Sequence, residues 1–127
     1  MEENGNIIIY QTEDGLTKLD VQLHDETVWL SQEQMAELFQ RDKSVITRHI
    51  GNIYSEGELL RESTSAKIAF VPQTRERTYE LTYYNLDVII SVGYRVKSQR
   101  GVQFRQWATK RIHEYIVIGF TLDDERL

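Results

Sequence analysis

The chain has no cysteine, a single proline and no apolar run that approaches the roughly 20 residues of a membrane-spanning helix. The lack of cysteine excludes disulfides and thiolate metal sites. The N-terminal MEENGNIIIY is acidic and has no long apolar core, so it is not a secretion signal, and we expect a cytoplasmic protein with no membrane association. What is present, 127 residues with 40% hydrophobic and 28% charged side chains, suits one globular domain over 1–127.

Charge is distributed unevenly along this chain of net charge −5. Residues 1–30 hold seven acids and one lysine, whereas residues 95–111 hold six basic residues and no acid. The basic segment suits phosphate, and the acidic segment suits a basic protein partner. The alternative is that both are simply solvated faces of the fold.

Two pairs of strand-like segments predict two β-hairpins. Residues 7–11 and 17–23 flank a turn at Glu13-Asp14-Gly15, and the second run alternates Leu19, Val21 and Leu23 with polar residues. Residues 66–71 and 77–82 flank a polar tip, which we expect to be mobile.

Four helices are predicted from capping and apolar spacing. Ser31 and Gln34 form a capping box for the first, and Asp42 can cap a second that runs to about Tyr54. Asn85 caps a short helix from Leu86 to Val92, ended by Gly93, and a long helix runs from about Ser98 to Ile118 before a polar tail that frays. The predicted buried stripe of the long helix is Phe104, Trp107, Ala108, Ile112, Tyr115 and Ile116.

Together these elements predict an α+β fold that is winged-helix-like, with a helix-turn-helix-like pair and a long C-terminal helix. In the pair, Ala36 is small enough for a close helix crossing, and apolar residues flank the turn. Gln40 and Arg41 depart from the usual glycine and apolar residue of such a turn. The predicted outer face of the second helix consists of Lys43, Ser44, Thr47 and Arg48.

That outer face is typical of a DNA-reading helix, because Lys and Arg reach phosphates or guanine edges and Ser and Thr bond either. The alternative is two amphipathic helices packed in a core. The second hairpin could serve as a wing that places Arg75 and Arg77 on the DNA backbone, or it could be an ordinary exposed loop. The further residues predicted on phosphates are Arg41, Arg95, Lys97, Arg100, Lys110 and Arg111.

Catalytic patterns are lacking. His24, His49 and His113 show no metal-ligand spacing, and no phosphate-binding glycine loop or nucleophile elbow occurs. The sequence therefore predicts no enzyme, no metal and no cofactor.

Residues 29–50 (WLSQEQMAELFQRDKSVITRHI) and 83–120 (YYNLDVIISVGYRVKSQRGVQFRQWATKRIHEYIVIGF) resemble the RhuM family of bacterial virulence-associated proteins. The resemblance extends over nearly the whole chain. Members of that family are generally longer, so it implies that this chain is the N-terminal part of a longer protein. A looser similarity, which includes Phe104 and Trp107, is to the Bro-N and KilA-N domains of phage antirepressors and large DNA viruses, and this implies DNA binding.

The sequence thus predicts a DNA-binding domain, a transcriptional regulator or phage antirepressor-like module that could act as a homodimer. The alternative is a non-enzymatic protein-interaction module that captures a regulator or a toxin partner through acidic residues 1–30.

Overall fold

Five antiparallel strands form one sheet in a computed structural model that describes residues 6–70 and 79–126. The strand order is β1-β2-β3-β5-β4. The central strand β3 pairs with β2 on one side and with β5 on the other, so it joins the two predicted hairpins into a single sheet. The strands are β1 (Asn6–Gln11), β2 (Lys18–His24), β3 (Thr27–Ser31), β4 (Ser65–Phe70) and β5 (Tyr79–Asn85).

The helices follow the strands in two groups, three after β3 and two after β5, which confirms the α+β class. In the described residues there are five helices rather than the predicted four, because a single turn at α3 precedes β4. They are α1 (Gln32–Phe39), α2 (Lys43–Ser55), α3 (Arg61–Thr64), α4 (Leu86–Arg95) and α5 (Gln99–Arg126). The winged-helix arrangement remains a prediction, since the hairpin tip with Arg75 and Arg77 lies outside the described residues.

The first hairpin confirms the alternating pattern of its second strand. Leu19, Val21 and Leu23 are buried, and the residues between them face outward or lie half-buried. At the turn, Gly15 has a φ of 76°, a left-handed conformation that glycine adopts without steric cost. The hairpin therefore contributes one apolar face to the core, while its other face is open to solvent and includes the exposed Ile7 and Ile9 of β1.

The predicted capping box at the start of α1 is confirmed. The Ser31 hydroxyl accepts from the Gln34 amide at 3.2 Å, and the Gln34 side chain accepts from the Ser31 amide at 3.0 Å. The Gln34 side-chain amide also donates to the Asp20 carbonyl at 2.7 Å, which fixes α1 against β2. Asp42 lies at the N-cap position of α2, but its side chain makes no capping hydrogen bond, so the predicted side-chain cap is wrong.

Three residues connect α1 to α2, and Gln40 begins this turn in the left-handed region with φ 55° and ψ 53°. A non-glycine residue there costs on the order of 1 kcal/mol. The departure from glycine noted in the sequence therefore does not prevent the tight turn. The left-handed residue lets α2 start after a turn of only three residues.

The prediction that Gly93 ends α4 is wrong, because the helix continues to Arg95. Asn85 does cap it, accepting from the Val88 amide at 3.4 Å. Gly93 is instead a contact point between helices. A Cβ at this position would lie 3.1 Å from the buried Phe39 ring and 3.3 Å from the Cα of Gly101 in α5. A larger residue there would press on Phe39 and on the backbone of Gly101, so glycine suits the close approach of the two helices.

The long helix α5 differs from its prediction at both its end and its buried stripe. It runs to Arg126, past the predicted end near Ile118 and through the tail that was expected to fray. Phe104 and Ala108 are fully buried, and Trp107 and Ile112 pack on the core. Tyr115 and Ile116, predicted to be buried, are 41% and 43% exposed. The core thus ends near Ile112, and the helix continues beyond it.

Candidate nucleic-acid interface

One side of α2 is anchored in the core and the other is open to solvent. Ile46, Ile50 and Ile53 are buried, as their spacing predicts. None of the 13 residues of α2 is acidic, although the chain contains 20 acids. The exposed positions of the helix are Lys43, Ser44, Thr47, Arg48, Gly51, Asn52 and Ser55. The helix therefore carries no carboxylate of its own that would repel a polyanion.

The two cations of this surface differ in their contacts. Arg48 is exposed and makes no hydrogen bond or ion pair with the residues that the structure describes. Lys43 lies 3.1 Å from the Glu33 carboxylate, and its hydrogen bond lowers the pKa of Glu33. Both partners of that pair are more than half exposed, and such surface pairs contribute little stability. A phosphate could therefore take the place of Glu33 at low cost.

A series of side-chain hydrogen bonds connects α2 to the sheet. The Thr47 hydroxyl donates to Gln32 Oε1 at 2.7 Å, with the Lys43 carbonyl also within 2.9 Å. The Gln32 side-chain amide in turn donates to the Tyr84 hydroxyl at 3.2 Å. Thr47 therefore connects α2 through α1 to β5, which restricts the orientation of the exposed surface.

Gly51 and Asn52 belong to the same surface but were not predicted as site residues. A Cβ at Gly51 would have nothing within 4 Å, so neither packing nor a positive φ requires glycine here. Glycine inside a helix costs about 1 kcal/mol relative to alanine. The sequence did contain a signal for this part of the site. Gly51 is an unfavourable residue on the polar side of a helix, and the neighbouring Asn52 has an amide that can bond base edges.

His49 lies beside Arg48 on the border between the buried and exposed sides of α2. Burial lowers the pKa of His49, and the positive charges of Arg48 and Arg95 lower it further. A lowered pKa keeps the imidazole neutral near pH 7. The positive charge of the surface therefore comes from Lys43 and Arg48.

Arg41, predicted on phosphate, contacts the backbone at the ends of two helices. Its guanidinium donates to the carbonyls of Phe39 and Gln40 at the end of α1, at 3.0 and 3.2 Å. It also donates to the Val96 carbonyl at the end of α4, at 3.0 Å. These carbonyls have no partner inside their helices, so Arg41 satisfies them and joins α1 to α4.

The basic segment 95–111 is not one helix. It comprises the last residue of α4, a turn, and the first half of α5. Arg95 bonds Glu56 at 2.9 Å and Glu58 at 2.7 Å, while Arg111 bonds Glu114 at 2.8 Å. Two of the six basic residues of this segment are thereby paired with carboxylates of the fold.

Arg100 is the most enclosed of these cations, with its side chain 15% exposed. It donates to the Leu38 carbonyl at 3.1 Å and the Thr17 hydroxyl at 3.0 Å, and it reaches the Asp14 carboxylate at 3.4 Å. Lys97 and Lys110 are exposed and have no ion pair with the described residues. Of the predicted phosphate positions in this segment, Lys97 and Lys110 are thus the two without a carboxylate partner in the described chain.

The site shows no arrangement that would hold a metal ion: in the described part of the chain, no three or more histidine and carboxylate side chains are grouped for it. Among the helices of residues 6–70 and 79–126, none combines the length and the apolar character needed to cross a membrane.

Comparison with known proteins adds one finding. The model of the virulence protein RhuM family matches residues 63–127, half of the chain. The chain belongs to the RhuM family. The match covers β4, β5, α4 and α5, whereas the α2 surface lies outside it. No curated protein and no solved structure matches the chain, and the similarity to Bro-N and KilA-N domains remains a prediction.

Proposed function

We propose that this RhuM-family chain binds double-stranded DNA through α2, as a helix-turn-helix module of a transcriptional regulator or an antirepressor-like protein. The observation that supports this most is the exposed side of α2, which is free of acid in an acidic protein and carries Arg48, an arginine with no ion pair among the described residues. An α-helix with its side chains is about 10–12 Å across and fits the major groove of DNA, which is about 12 Å wide. Binding to DNA involves no catalysis, so the proposal is of a non-enzymatic protein.

In this proposal the residues of the α2 surface have different roles. Arg48 reaches a guanine edge or a phosphate, and Asn52 one turn further reads an adjacent base. Gly51 lets the duplex approach the helix backbone, since no side chain stands between them. Lys43 exchanges its exposed carboxylate partner for a phosphate at the start of the helix.

Replacing Arg48 with alanine is expected to weaken DNA binding by about 1–3 kcal/mol, because it removes the guanidinium that contacts a phosphate or a base edge. The measurement is fluorescence anisotropy on labelled genomic fragments at about 50 mM salt, where phosphate contacts are strong. Lys18→Ala is the matched control, since Lys18 is an exposed cation on β2 away from α2. Equal affinity of Arg48→Ala and wild type would contradict the assignment.

Replacing Gly51 with glutamine is expected to change stability and binding in opposite directions. Glutamine is the better helix former by roughly 0.5–1 kcal/mol, so the free energy of unfolding rises. Its side chain occupies the space through which DNA approaches, so affinity falls by about tenfold, or about 1.4 kcal/mol. Urea unfolding and anisotropy on the same preparation test both effects. A variant that gains stability and binds as wild type would exclude Gly51 from the interface.

A second function is favoured by the exposed carboxylates of the first hairpin. Glu13, Asp20, Asp25 and Glu26 are exposed around a sheet edge with Lys18 as the one exposed cation in residues 6–30. This surface suits a basic protein partner, such as a regulator or a toxin. Retention of a protein partner in a pull-down from nuclease-treated extract would favour that function, because no nucleic acid then remains to join the two proteins.

A further inference from the structure

An open apolar groove lies between α4 and the start of α5. We call it the α4–α5 groove, with Ile90, Tyr94 and Val102 on its sides and Gly93 and Gly101 at its floor. Its volume is about 460 Å³. The Tyr94 side chain is 85% exposed and that of Val102 is 44% exposed. Large apolar side chains gathered around a concave surface indicate a binding surface.

The rim of the α4–α5 groove carries positive charge that nothing in the described chain neutralises. Lys97 and Arg105 line the groove, and neither makes an ion pair or hydrogen bond with a described residue. The neighbouring Arg95 and Arg100 are bonded to carboxylates elsewhere. An occupant therefore needs an apolar side for the groove and carboxylates for the two cations.

The chain itself carries a segment of that chemistry. Beyond Ile112, α5 leaves the core with Tyr115, Ile116 and Val117 at least 41% exposed. The same helix continues to Arg126, and its sequence there includes Asp123, Asp124 and Glu125. We call residues 115–126 the α5 end segment. It is a helix with exposed apolar residues followed by three acids.

The α5 end segment cannot reach the groove of its own chain. Both belong to one helix, and Tyr115 lies 13 residues after Val102, about 20 Å further along the axis at 1.5 Å per residue. A second copy of the chain does not have this restriction. With a two-fold axis between copies, each groove receives the other copy's segment and the contact closes on itself.

We propose that the α5 end segment of one copy binds the α4–α5 groove of a second copy, so that the chain forms a two-fold homodimer. The mode is that of a helix laid into an apolar groove. The acids of the segment pair with Lys97 and Arg105, which fixes the direction of the helix in the groove. The dimer needs no DNA, so its test is independent of the proposed function.

An exchange of charges tests the proposal. One variant carries Lys97→Glu and Arg105→Glu, and the other carries Asp123→Lys and Asp124→Lys. Each alone places like charges at both contacts, so both are expected to be monomers, with half the mass of wild type in light scattering after size exclusion. In an equal mixture both contacts join opposite charges, and the dimer mass is expected to return. Concentrations of about 1–100 µM at low salt bracket the range of a modest interface.

The wild-type chain and a neutral variant serve as controls. Gln106→Ala alters an exposed position of α5 outside the α4–α5 groove lining and is expected to leave the dimer intact. A monomeric wild type at every concentration would overturn the proposal and leave the groove to an acidic helix of another protein. A dimer that persists in both charge variants, or a mixture that stays monomeric, would also overturn it.

Discussion

Replacing Phe104 with alanine is expected to lower the free energy of unfolding by about 3–5 kcal/mol. The ring is fully buried and joins α5 to the sheet, meeting Tyr10 of β1 edge-on at 5.1 Å and Trp107 at 5.6 Å between ring centroids. Its removal loses the transfer free energy of the ring and leaves a cavity between helix and sheet. Domains of this size are typically stable by about 5–15 kcal/mol, so a large part of the stability is at stake.

The matched control is Tyr115→Ala, which removes an aromatic ring from the same helix. Tyr115 continues the helical stripe of Phe104 but is 41% exposed, so its loss is expected to cost below about 1.5 kcal/mol. Urea unfolding gives both values, at protein concentrations low enough that stability no longer depends on concentration. If Phe104→Ala does not fold, Phe104→Leu should still show a loss of about 1–2 kcal/mol. Equal losses at both positions would contradict the observed end of the core.

Replacing Arg100 with methionine is expected to lower the free energy of unfolding by about 2–3 kcal/mol. Its guanidinium donates to the Leu38 carbonyl and the Thr17 hydroxyl in a site where the side chain is 15% exposed. Methionine keeps the apolar contacts of the side chain and removes the donors. The Leu38 carbonyl, near the end of α1, then loses the charged donor that satisfies it.

Lys110→Met provides the control, because Lys110 is an exposed cation of α5 without an ion pair in the described chain. Its change in stability should stay within about 0.5 kcal/mol. Thermal and urea unfolding measure the stability of both variants, and a larger loss for Arg100→Met than for Lys110→Met shows that Arg100 supports the fold. If Arg100→Met is as stable as wild type while DNA binding falls, Arg100 serves phosphate, as the sequence predicted, rather than the fold.

Most of the fold followed from local patterns. Period-two alternation predicted the first hairpin, and the capping residues Ser31 and Asn85 predicted where α1 and α4 begin. The ends of helices were harder to predict, because Gly93 acts through contact with Phe39 and Gly101 rather than as a helix stop. The spacing of Tyr115 predicted its burial, but periodicity cannot show where the core beneath a helix ends.

The candidate site was only partly predictable for a similar reason. The exposed side of α2 follows from helical spacing within 13 residues, so Ser44 and Arg48 could be placed from the sequence. The contacts of Arg41 and Arg100 could not, since their carbonyl partners at Val96 and Leu38 lie 55 and 62 residues away. A basic residue looks the same in a sequence whether it is bound to phosphate or to a backbone carbonyl.

The pairing of β3 with β5 makes the two halves of the chain unsuitable as separate building blocks. The family-matched half begins at residue 63, yet its β5 is hydrogen-bonded to a strand from the other half, and Phe39 fills the crossing of α4 and α5. Exchange of either half between relatives would have to preserve this shared sheet and the ring-to-glycine fit. A chimera that takes only one half from a relative is therefore expected to fold poorly unless the contacting residues of the other half are replaced as well. The sequence boundary at residue 63 is not a boundary between folding units.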